Sequence, residues 1–278
     1  MNLLTITEVR EMARRYGLAP SRAFGQNFVV DQNTLRRIVR LAEVGPQDRV
    51  VEVGAGIGTL TLALAEQALE VIAIELDRSL IPALREVAGR ASNVAVVEGD
   101  ALTLDYSSLL AGVKRRMISN LPYGVATALI ARLLENVPEI EDLVVMVQRE
   151  VGERLVASPG SKTYGALSLL VAFYCESAIL GRVPSTVFWP VPRVESVIVR
   201  LRRRPPTVDV PTAKLMNVVH AAFAQRRKTL RNSLASALVR PTAEIEQVLE
   251  RAGIDPGVRA ESLGIQEFAR LTRALECR

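Results

Sequence analysis

The sequence has few of the residues that build disulfide frameworks or metal sites: its 278 residues include two cysteines and one histidine. Cys175 and Cys277 are too few for a disulfide framework, which favours a reducing compartment, and we expect a cytoplasmic protein. Together with His220 they have no zinc-ligand spacing, so we expect no metal. A serine hydrolase triad would have to use His220, and no Gly-x-Ser-x-Gly turn accompanies it.

Long apolar runs are also missing. No stretch of about 18 apolar residues is present, so no membrane span and no membrane partner are expected. Residues 1–17 lack the apolar block of a signal peptide. They predict an amphipathic helix, with a capping box at Thr5 and Glu8 and a stop at Gly17.

What the middle of the chain does contain is an alternation of short β-branched runs with helical ones. The predicted strands are 49–53, 70–75, 93–98, 117–119 and 143–147, and the helices between them are 60–68, 80–88 and 125–134. Nearly continuous apolar strands separated by helices are typical of a parallel sheet covered on both faces. Two later runs, 172–183 and 196–201, have no clear helix between them and are expected as an antiparallel hairpin at the sheet edge.

The character of the sequence changes at Arg204-Pro205-Pro206. Consecutive prolines cannot continue a strand ladder and they stiffen a linker. Beyond them the pattern predicts helices at 213–224, 228–238, 243–252 and 265–275. We therefore predict a catalytic domain over residues 1–204 and a helical C-terminal domain over residues 205–278.

Positive charge is concentrated in one region of the chain. The net charge is +5, yet residues 193–231 alone carry ten Lys or Arg against two acids. Such a local field suits a phosphate backbone. The predicted RNA-binding residues are Arg226, Arg227, Lys228 and Arg231, extended by Arg149 and Arg154. Arg227 and Arg231 are four residues apart and are expected to share a helix face.

A glycine-rich turn follows the first of the five predicted parallel strands. Gly54, Gly56 and Gly58 have the spacing Gly-x-Gly-x-Gly, which lets a cofactor approach the backbone at the carboxyl end of a parallel sheet. Glu75 ends the second strand and can accept ribose hydroxyls, and Asp100 after the third strand can accept from an adenine amino group. These features alone leave S-adenosylmethionine and a nicotinamide cofactor both open, although the third glycine of the dinucleotide pattern is missing.

The tetrapeptide Asn120-Leu121-Pro122-Tyr123 follows the fourth strand and is suited to hold a flat base by its exocyclic amine. Asn120 Oδ1 and the carbonyl of Leu121 can each accept a hydrogen bond from that amine. Pro122 fixes its own φ and biases Leu121 towards an extended conformation. Tyr123 offers a stacking face, and Phe188 is a candidate for a second face around an unstacked base.

Together these segments resemble the small-subunit (16S) ribosomal RNA adenine N6,N6-dimethyltransferases, the kasugamycin-sensitivity family, over nearly the whole chain. The matching segments are Gly25-Gln26-Asn27-Phe28, Val51-Glu52-Val53-Gly54-Ala55-Gly56, Ile74-Glu75-Leu76-Asp77, Glu98-Gly99-Asp100-Ala101, Asn120-Leu121-Pro122-Tyr123, Ser161-Lys162-Thr163-Tyr164-Gly165, Phe188-Trp189-Pro190-Val191-Pro192-Arg193-Val194 and Phe223-Ala224-Gln225-Arg226-Arg227-Lys228-Thr229-Leu230-Arg231-Asn232-Ser233-Leu234. The last two segments are the most specific.

The resemblance implies an α/β fold of the class I S-adenosylmethionine-dependent methyltransferases, Rossmann-like with a mostly parallel seven-stranded sheet, and a small all-α C-terminal domain. It implies that the chain dimethylates N6 of two adjacent adenosines near the 3′ end of 16S rRNA in the small ribosomal subunit. The expected cofactor-binding residues are Asn27, Val29, Gly54, Gly56, Glu75, Asp100, Ala101 and Asn120. The expected catalytic residues are Asn120, Leu121, Pro122, Tyr123 and Phe188. We expect a monomer.

Some alternatives stay open at this point. Gly124 stands where family members often carry Asn, which predicts a more mobile loop. The related erythromycin-resistance methyltransferases, which act on large-subunit rRNA, rank second because they usually show Ile in place of Leu121. A nicotinamide oxidoreductase and an RNA-binding assembly factor without activity are the competing classes, and a checkpoint role in assembly can coexist with methylation.

Overall fold

The computed structural model describes residues 2–18 and 26–276. Gly25 and Cys277, which figured in the sequence analysis, lie outside the described residues. The strands are β1 (Phe28–Val29), β2 (Arg49–Val53), β3 (Glu70–Glu75), β4 (Val94–Glu98), β5 (Arg115–Asn120), β6 (Ile140–Gln148), β7 (Cys175–Val183), β8 (Phe188–Trp189) and β9 (Ser196–Arg203). The helices are α1 (Ile6–Arg15), α2 (Gln32–Leu41), α3 (Thr59–Ala65), α4 (Ile81–Ala88), α5 (Tyr106–Leu110), α6 (Ala126–Asn136), α7 (Arg149–Leu155), α8 (Ala166–Tyr174), α9 (Thr212–Phe223), α10 (Leu230–Leu238), α11 (Thr242–Arg251) and α12 (Ile265–Glu276).

Two compact units make up the chain. The first comprises Met1–Gly152 and Ser177–Arg203, and the second comprises Glu153–Glu176 and Arg204–Arg278. The segment 153–176 thus belongs to the second unit although it precedes residue 205. None of the helices in the described ranges is long and apolar enough to cross a lipid bilayer.

The first unit is built on a seven-stranded sheet with the order β4-β3-β2-β5-β6-β9-β7. Strands β2 to β6 pair in parallel, and β9 pairs antiparallel with β6. The chain moves outwards from β2 to β4 on one side and from β5 to β6 on the other. The strand order therefore reverses between β2 and β5, and ligands of such sheets bind at the carboxyl ends of the strands at this point.

Capping and burial explain the local elements. The α1 helix starts at the predicted capping box, where the Glu8 N–H donates to Thr5 Oγ1 at 3.3 Å and the Thr5 N–H donates to Glu8 Oε2 at 2.7 Å. The Val50 and Val71 side chains in β2 and β3 are fully buried, as expected for strands covered on both faces.

One strand prediction is wrong at its start. Residues 166–174 form α8, and the strand β7 begins only at Cys175. An uninterrupted apolar run such as this one has no period that distinguishes a buried helix from a buried strand. The remainder, β7, lies beside β9 at the sheet edge, where the two late strands were predicted.

The second unit is helical and packs around aromatic side chains. Tyr164 and Phe268 both contact Phe223, with ring centroids 6.0 Å apart in each pair. The buried Tyr164 hydroxyl donates to the carbonyl of Leu263 at 2.9 Å. A helix was predicted from residue 228, but α10 begins at Leu230 because residues 224–228 form a turn.

Candidate functional site

A cleft lies at the carboxyl ends of the parallel strands in the first unit. It encloses about 990 Å³ of space not filled by protein atoms, counted out to its open mouth. Its lining brings together most residues of the predicted site: Asn27, Gly54, Gly56, Glu75, Asp100, Ala101, Asn120, Leu121, Pro122 and Tyr123. Most of these residues follow separate strands in the sequence, and the carboxyl ends of parallel strands lie together at one side of the sheet.

The glycines of the turn after β2 are required by both conformation and space. Gly54 and Gly56 have φ values of 72° and 61°, in the left-handed region that favours glycine. A Cβ on Gly54 would lie 2.9 Å from Pro122 Cδ, and one on Gly56 would lie 2.7 Å from Phe28 Cε1. The turn therefore packs directly against two walls of the cleft, and no other residue fits at either position without movement.

Glu75, the last residue of β3, is nearly buried and is held by backbone donors. Its Oε2 accepts from the Gly56 N–H at 2.7 Å, and its Oε1 accepts from the N–H groups of Leu76 and Asp77 at 2.9 Å each. Burial raises the pKa of Glu75 despite these three hydrogen bonds. A carboxylate has about four acceptor sites, so roughly one remains for a ligand hydroxyl without any rearrangement.

A second buried acid, Glu52 in β2, was not among the predicted site residues. It is 1% exposed and accepts a hydrogen bond from Thr61 Oγ1 at 2.6 Å. Burial raises its pKa to about 8, and the nearby charge of Glu75 adds to this effect. Glu52 is therefore expected to be largely neutral at pH 7, which avoids two charges beneath the glycine turn. In the sequence, the only indication that this residue is unusual was an acid within an otherwise apolar strand.

Asp100 stands on the turn after β4. Its Oδ1 accepts from the Leu102 N–H at 2.8 Å, and its backbone carbonyl accepts from the N–H groups of Thr103 and Leu104. Its second oxygen, Oδ2, accepts no hydrogen bond from the described part of the chain. The neighbouring Ala101 lines the same wall. The turn thus presents a carboxylate oxygen beside a small apolar surface.

Asn120, the last residue of β5, has its amide orientation fixed by a single contact. Its Nδ2 donates to the backbone carbonyl of Asn27 at 2.9 Å. Because the NH₂ end is held there, Oδ1 is the end available as an acceptor. The following residue is anchored as well, since the Leu121 N–H donates to the carbonyl of Met146 at 3.0 Å.

Ser119 joins β5 to β2 at the base of the cleft, and sequence analysis missed this role. The ladder between these strands pairs Val50 with Arg116 and Val51 with Met117. Two residues further on, the Val53 N–H donates to Ser119 Oγ at 2.8 Å in place of a ladder carbonyl. The hydroxyl therefore ties the strand end before the glycine turn to the strand end before Asn120.

Tyr123 is anchored through its hydroxyl. Its hydroxyl lies 3.2 Å from the hydroxyl of Ser196, which is fully buried at the start of β9. Burial raises the pKa of Tyr123, so the phenol is neutral. The ring is half-buried and lines the cleft, which leaves one surface available for stacking.

Two predicted site residues are placed elsewhere. Val29 and Phe188 pair with each other in the two-stranded ribbon of β1 and β8, and they are 1% and 2% exposed. Neither is among the residues that line the cleft, and their roles as a cofactor contact and a second stacking face stay predictions. Packing of the ribbon against the core explains both positions. The cleft is lined instead by Gln26, Phe28, Leu76, Asp77 and Leu102, which sequence analysis did not select.

The basic residues of the second unit differ in whether their side chains are bonded within the unit. Arg226 Nη2 donates to the carbonyls of Lys162 and Tyr164 at 3.1 and 3.2 Å, and Arg231 Nη1 donates to Glu246 at 3.0 Å. Arg227 and Lys228 are exposed in the turn between α9 and α10. Since Arg227 lies before the start of α10, the prediction that it shares a helix face with Arg231 is wrong.

The positive excess of residues 193–231 is smaller at the surface than its composition suggests. Arg200 pairs with Asp142 at 2.9 Å and with Glu43 at 2.8 Å. Arg203 donates to the carbonyls of Leu133, Val137 and Ile140. These arginines hold the sheet together. Of the two added basic residues, Arg149 pairs with Glu195 at 3.3 Å and Arg154 lies half-buried in α7.

The chain is similar to known proteins over nearly its whole length. The ribosomal RNA adenine dimethylase family matches residues 19–276. The chain is 46% identical to ribosomal RNA small subunit methyltransferase A of Moorella thermoacetica, over 95% of this chain and 96% of that protein. It is also 46% identical to the protein of that name from Cutibacterium acnes, over 98% of this chain and 94% of the relative.

Solved structures give the same assignment. A dimethyladenosine transferase from Plasmodium falciparum superposes with a TM-score of 0.73 at 26% identity, covering 87% of this chain and 94% of that one. The 23S rRNA methyltransferase ErmE superposes with a TM-score of 0.66 at 28% identity, covering 90% and 99%. The predicted class I methyltransferase fold and the rRNA adenine dimethyltransferase class are confirmed, and the oxidoreductase alternative is set aside. The chain belongs to the ribosomal RNA adenine dimethylase family.

Proposed function

We propose that this chain transfers methyl groups from S-adenosylmethionine to N6 of two adjacent adenosines near the 3′ end of 16S rRNA, within the small ribosomal subunit. Family membership and the relatives named for small-subunit rRNA support the substrate. The observation that carries the mechanism is the Asn120 amide, which is fixed by Asn27 in the same cleft as the glycine turn. We expect the protein to act as a cytoplasmic monomer.

The cleft fits the cofactor in shape and in chemistry. Gly54 and Gly56 line the cleft and carry no side chains, so a cofactor can approach the backbone of the turn. Glu75 and Asp100 would accept from the ribose and from the adenine amino group of the cofactor. Leu76 and Ala101 supply apolar surface beside these acids. S-adenosylmethionine bound there would supply a methyl group on a positively charged sulfur.

The residues of the tetrapeptide act on the substrate amine. The lone pair of an adenine N6 is delocalised into the ring, so the amine is a weak nucleophile. Hydrogen bonds accepted by Asn120 Oδ1 and the Leu121 carbonyl favour a pyramidal nitrogen whose lone pair is directed at the methyl carbon. The nitrogen would form a bond to that carbon as the carbon–sulfur bond breaks, the electron pair of the broken bond would stay on sulfur, and S-adenosylhomocysteine would leave. The amine would lose its proton to solvent afterwards, so no strong base is required. Catalysis rests on positioning and electrostatics.

Tyr123 holds the base that these acceptors address. Its hydroxyl is anchored by Ser196, so the ring cannot swing away when a base stacks on it. Stacking on an aromatic side chain contributes about 1–3 kcal/mol per base. The target adenosine has to leave its helical stack to reach the ring, as in other enzymes that modify bases. Gly124 next to the tyrosine is exposed and a Cβ there would meet no atom within 4 Å, so the rim has room for a methylated amine.

The test is a methylation assay with matched variants. Small subunits that lack the modification and large-subunit rRNA are incubated together with labelled S-adenosylmethionine, and the modified nucleotides are mapped. Asn120→Ala is expected to reduce kcat by about 10²–10³-fold, as for loss of one positioned polar group, with a change of only a few-fold in cofactor affinity. The control is Asn136→Ala, which removes an exposed amide at the end of α6 bonded only to the carbonyl of Arg132. Full turnover by Asn120→Ala would contradict the mechanism.

The position of the label separates the alternatives. Label in the 3′ region of 16S rRNA supports the proposal, and label in large-subunit RNA alone would overturn it in favour of the second-ranked specificity. Binding of wild-type protein to subunits without any methyl transfer would instead indicate an assembly factor.

A further inference from the structure

A row of arginines on the first unit has no part in the site described above. Arg36, Arg37 and Arg40 lie along α2, and Arg182 lies in β7. Residues three and four apart on a helix are neighbours, so the three helical arginines form one continuous face. Arg36, Arg40 and Arg182 are exposed, and Arg37 is half-buried. These four residues are called the α2 arginine row.

Contacts between α2 and β7 place Arg182 beside the helix. Arg37 Nη1 donates to the backbone carbonyl of Arg182 at 2.9 Å. A Cβ on Gly181 would lie 2.3 Å from Arg37 Nη2, so the guanidinium passes directly over that glycine. Arg37 thus tethers the strand to the helix and holds the backbone of Arg182 beside α2.

The charges of the row are not compensated. None of the four arginines lies within ion-pair distance of a carboxylate in the described ranges. The nearest acids along α2 are otherwise engaged: Asp31 caps the helix by accepting from the Thr34 N–H at 2.7 Å, and Glu43 pairs with Arg200. Most other arginines of this unit have acidic partners, as Arg15 does with Glu86 at 2.5 Å. Four neighbouring like charges repel one another, so an anionic partner would be bound favourably.

The position of α2 connects the row to the cleft. The helix begins at Gln32, four residues after Phe28, whose ring lines the cleft. It runs for ten residues, or about 15 Å, away from that point. The carbonyl of the next residue, Ala42, accepts from the Arg116 guanidinium at the start of β5, at the opposite end of that strand from Asn120 and the cleft. The helix therefore runs from the cleft side of the unit along its flank, and its arginines begin at its fifth residue.

We propose that the α2 arginine row binds the phosphate backbone of the rRNA helix adjoining the target adenosines. Arginine presents five donors in a planar fork that matches phosphate oxygens. Such contacts position an RNA without reading its sequence. An anionic membrane is disfavoured because the exposed face of α2 has no large apolar side chain, which interfacial helices require. This inference rests on the proposed function for its RNA partner.

The experiment compares the triple variant Arg36→Gln, Arg40→Gln, Arg182→Gln with wild-type protein. Arg37 is retained because it tethers β7. Binding of an rRNA fragment that contains the methylation site is titrated by fluorescence anisotropy across a range of salt concentrations. We expect the slope of log K against log salt to become shallower by about two to three, roughly 0.9 for each lost phosphate contact. The Arg→Lys triple variant retains the charge and is expected to restore most of the slope.

The control is Arg10→Gln, Arg14→Gln, Arg85→Gln, which makes the same change in net charge on exposed positions of α1 and α4. In methylation assays the α2 triple variant is expected to raise KM for the small subunit at unchanged kcat, with unchanged cofactor affinity and melting temperature. A salt slope equal to that of wild type, or an equal change in the control, would overturn the inference. If the α2 triple variant lost binding to anionic vesicles but bound RNA as the wild type does, the partner of the row would be a membrane and the inference would be wrong. Absence of methylation by wild-type protein would refute the proposed function itself, whatever the slopes.

Discussion

The Val53 N–H donates to Ser119 Oγ at 2.8 Å, and this hydrogen bond joins the two strand ends between which the cleft opens. Val53 precedes the glycine turn and Ser119 precedes the Asn-Leu-Pro-Tyr tetrapeptide. A second contact spans the same gap, since a Cβ on Gly54 would lie within 3.0 Å of the Pro122 ring. One buried hydroxyl and one glycine thus fix the distance between the proposed cofactor side and the proposed substrate side of the cleft.

Replacing Ser119 by alanine leaves the buried Val53 N–H without its acceptor. The expected loss of unfolding free energy is about 1–3 kcal/mol. We also expect kcat for methyl transfer to fall more than cofactor affinity, because the two strand ends are no longer held at a fixed distance. Chemical denaturation and steady-state kinetics measure the two effects.

Ser233→Ala is the matched control for that variant. Ser233 is fully buried in α10 and donates to the carbonyl of Ala221 at 2.9 Å. Its loss should reduce stability by a similar amount without a drop in kcat. If both serine variants lowered kcat equally at temperatures well below melting, Ser119 would have no positioning role.

Glu52 should make the stability of the protein depend on pH. Its pKa rises from an ordinary 4.5 to about 8 on folding because the carboxyl is buried. Between these values the folded chain holds a proton that the unfolded chain has lost, so this group lowers the unfolding free energy as pH rises from about 4.5 to 8. In Glu52→Gln that fall, which amounts to about a few kcal/mol, should disappear. Denaturant titrations from pH 5 to pH 8 check it, and parallel curves for the variant and wild type would contradict the assignment.

Arg227 and Lys228 should bind RNA without contributing to the fold. Both are exposed in the turn between α9 and α10, so the double variant Arg227→Gln, Lys228→Gln should reduce the salt slope of RNA binding by about two and leave the melting temperature unchanged.

Arg226→Gln should instead lower the melting temperature, because the carbonyls of Lys162 and Tyr164 lose their donor. A melting temperature unaffected by Arg226→Gln would argue that this tether is dispensable.

The core of the sheet was predictable because its pattern is local. The strands Arg49–Val53 and Glu70–Glu75 were predicted with their observed bounds, since each is a short β-branched run that ends in a turn or an acid. Once the strands are parallel, their carboxyl ends must meet at one edge. The meeting of Gly54, Glu75, Asp100 and Asn120 in one cleft was therefore predictable from the order of the strands.

What failed depends on pairings between distant parts of the chain. The ribbon of β1 and β8 was not predicted, because strands of two residues are too short to show a period. The charge count for residues 193–231 overstated the exposed positive charge, because some of these arginines pair with acids far away in the sequence. The partner of Arg200 is Asp142, 58 residues away, and only the antiparallel register of β6 and β9 brings the two together.

Glu75 holds the glycine turn in place as well as offering an acceptor to a ligand. Its two oxygens hold N–H groups from the glycine turn and from the chain just beyond β3. An amide at this position would turn a donor towards one of those N–H groups, so Glu75→Gln would disturb the turn as well as any bound sugar. A loss of cofactor affinity in Glu75→Gln would therefore combine two effects, a disturbed glycine turn and a lost hydrogen bond to the ribose. The contribution of the ribose hydrogen bond alone has to be measured with a cofactor analogue that lacks that hydroxyl.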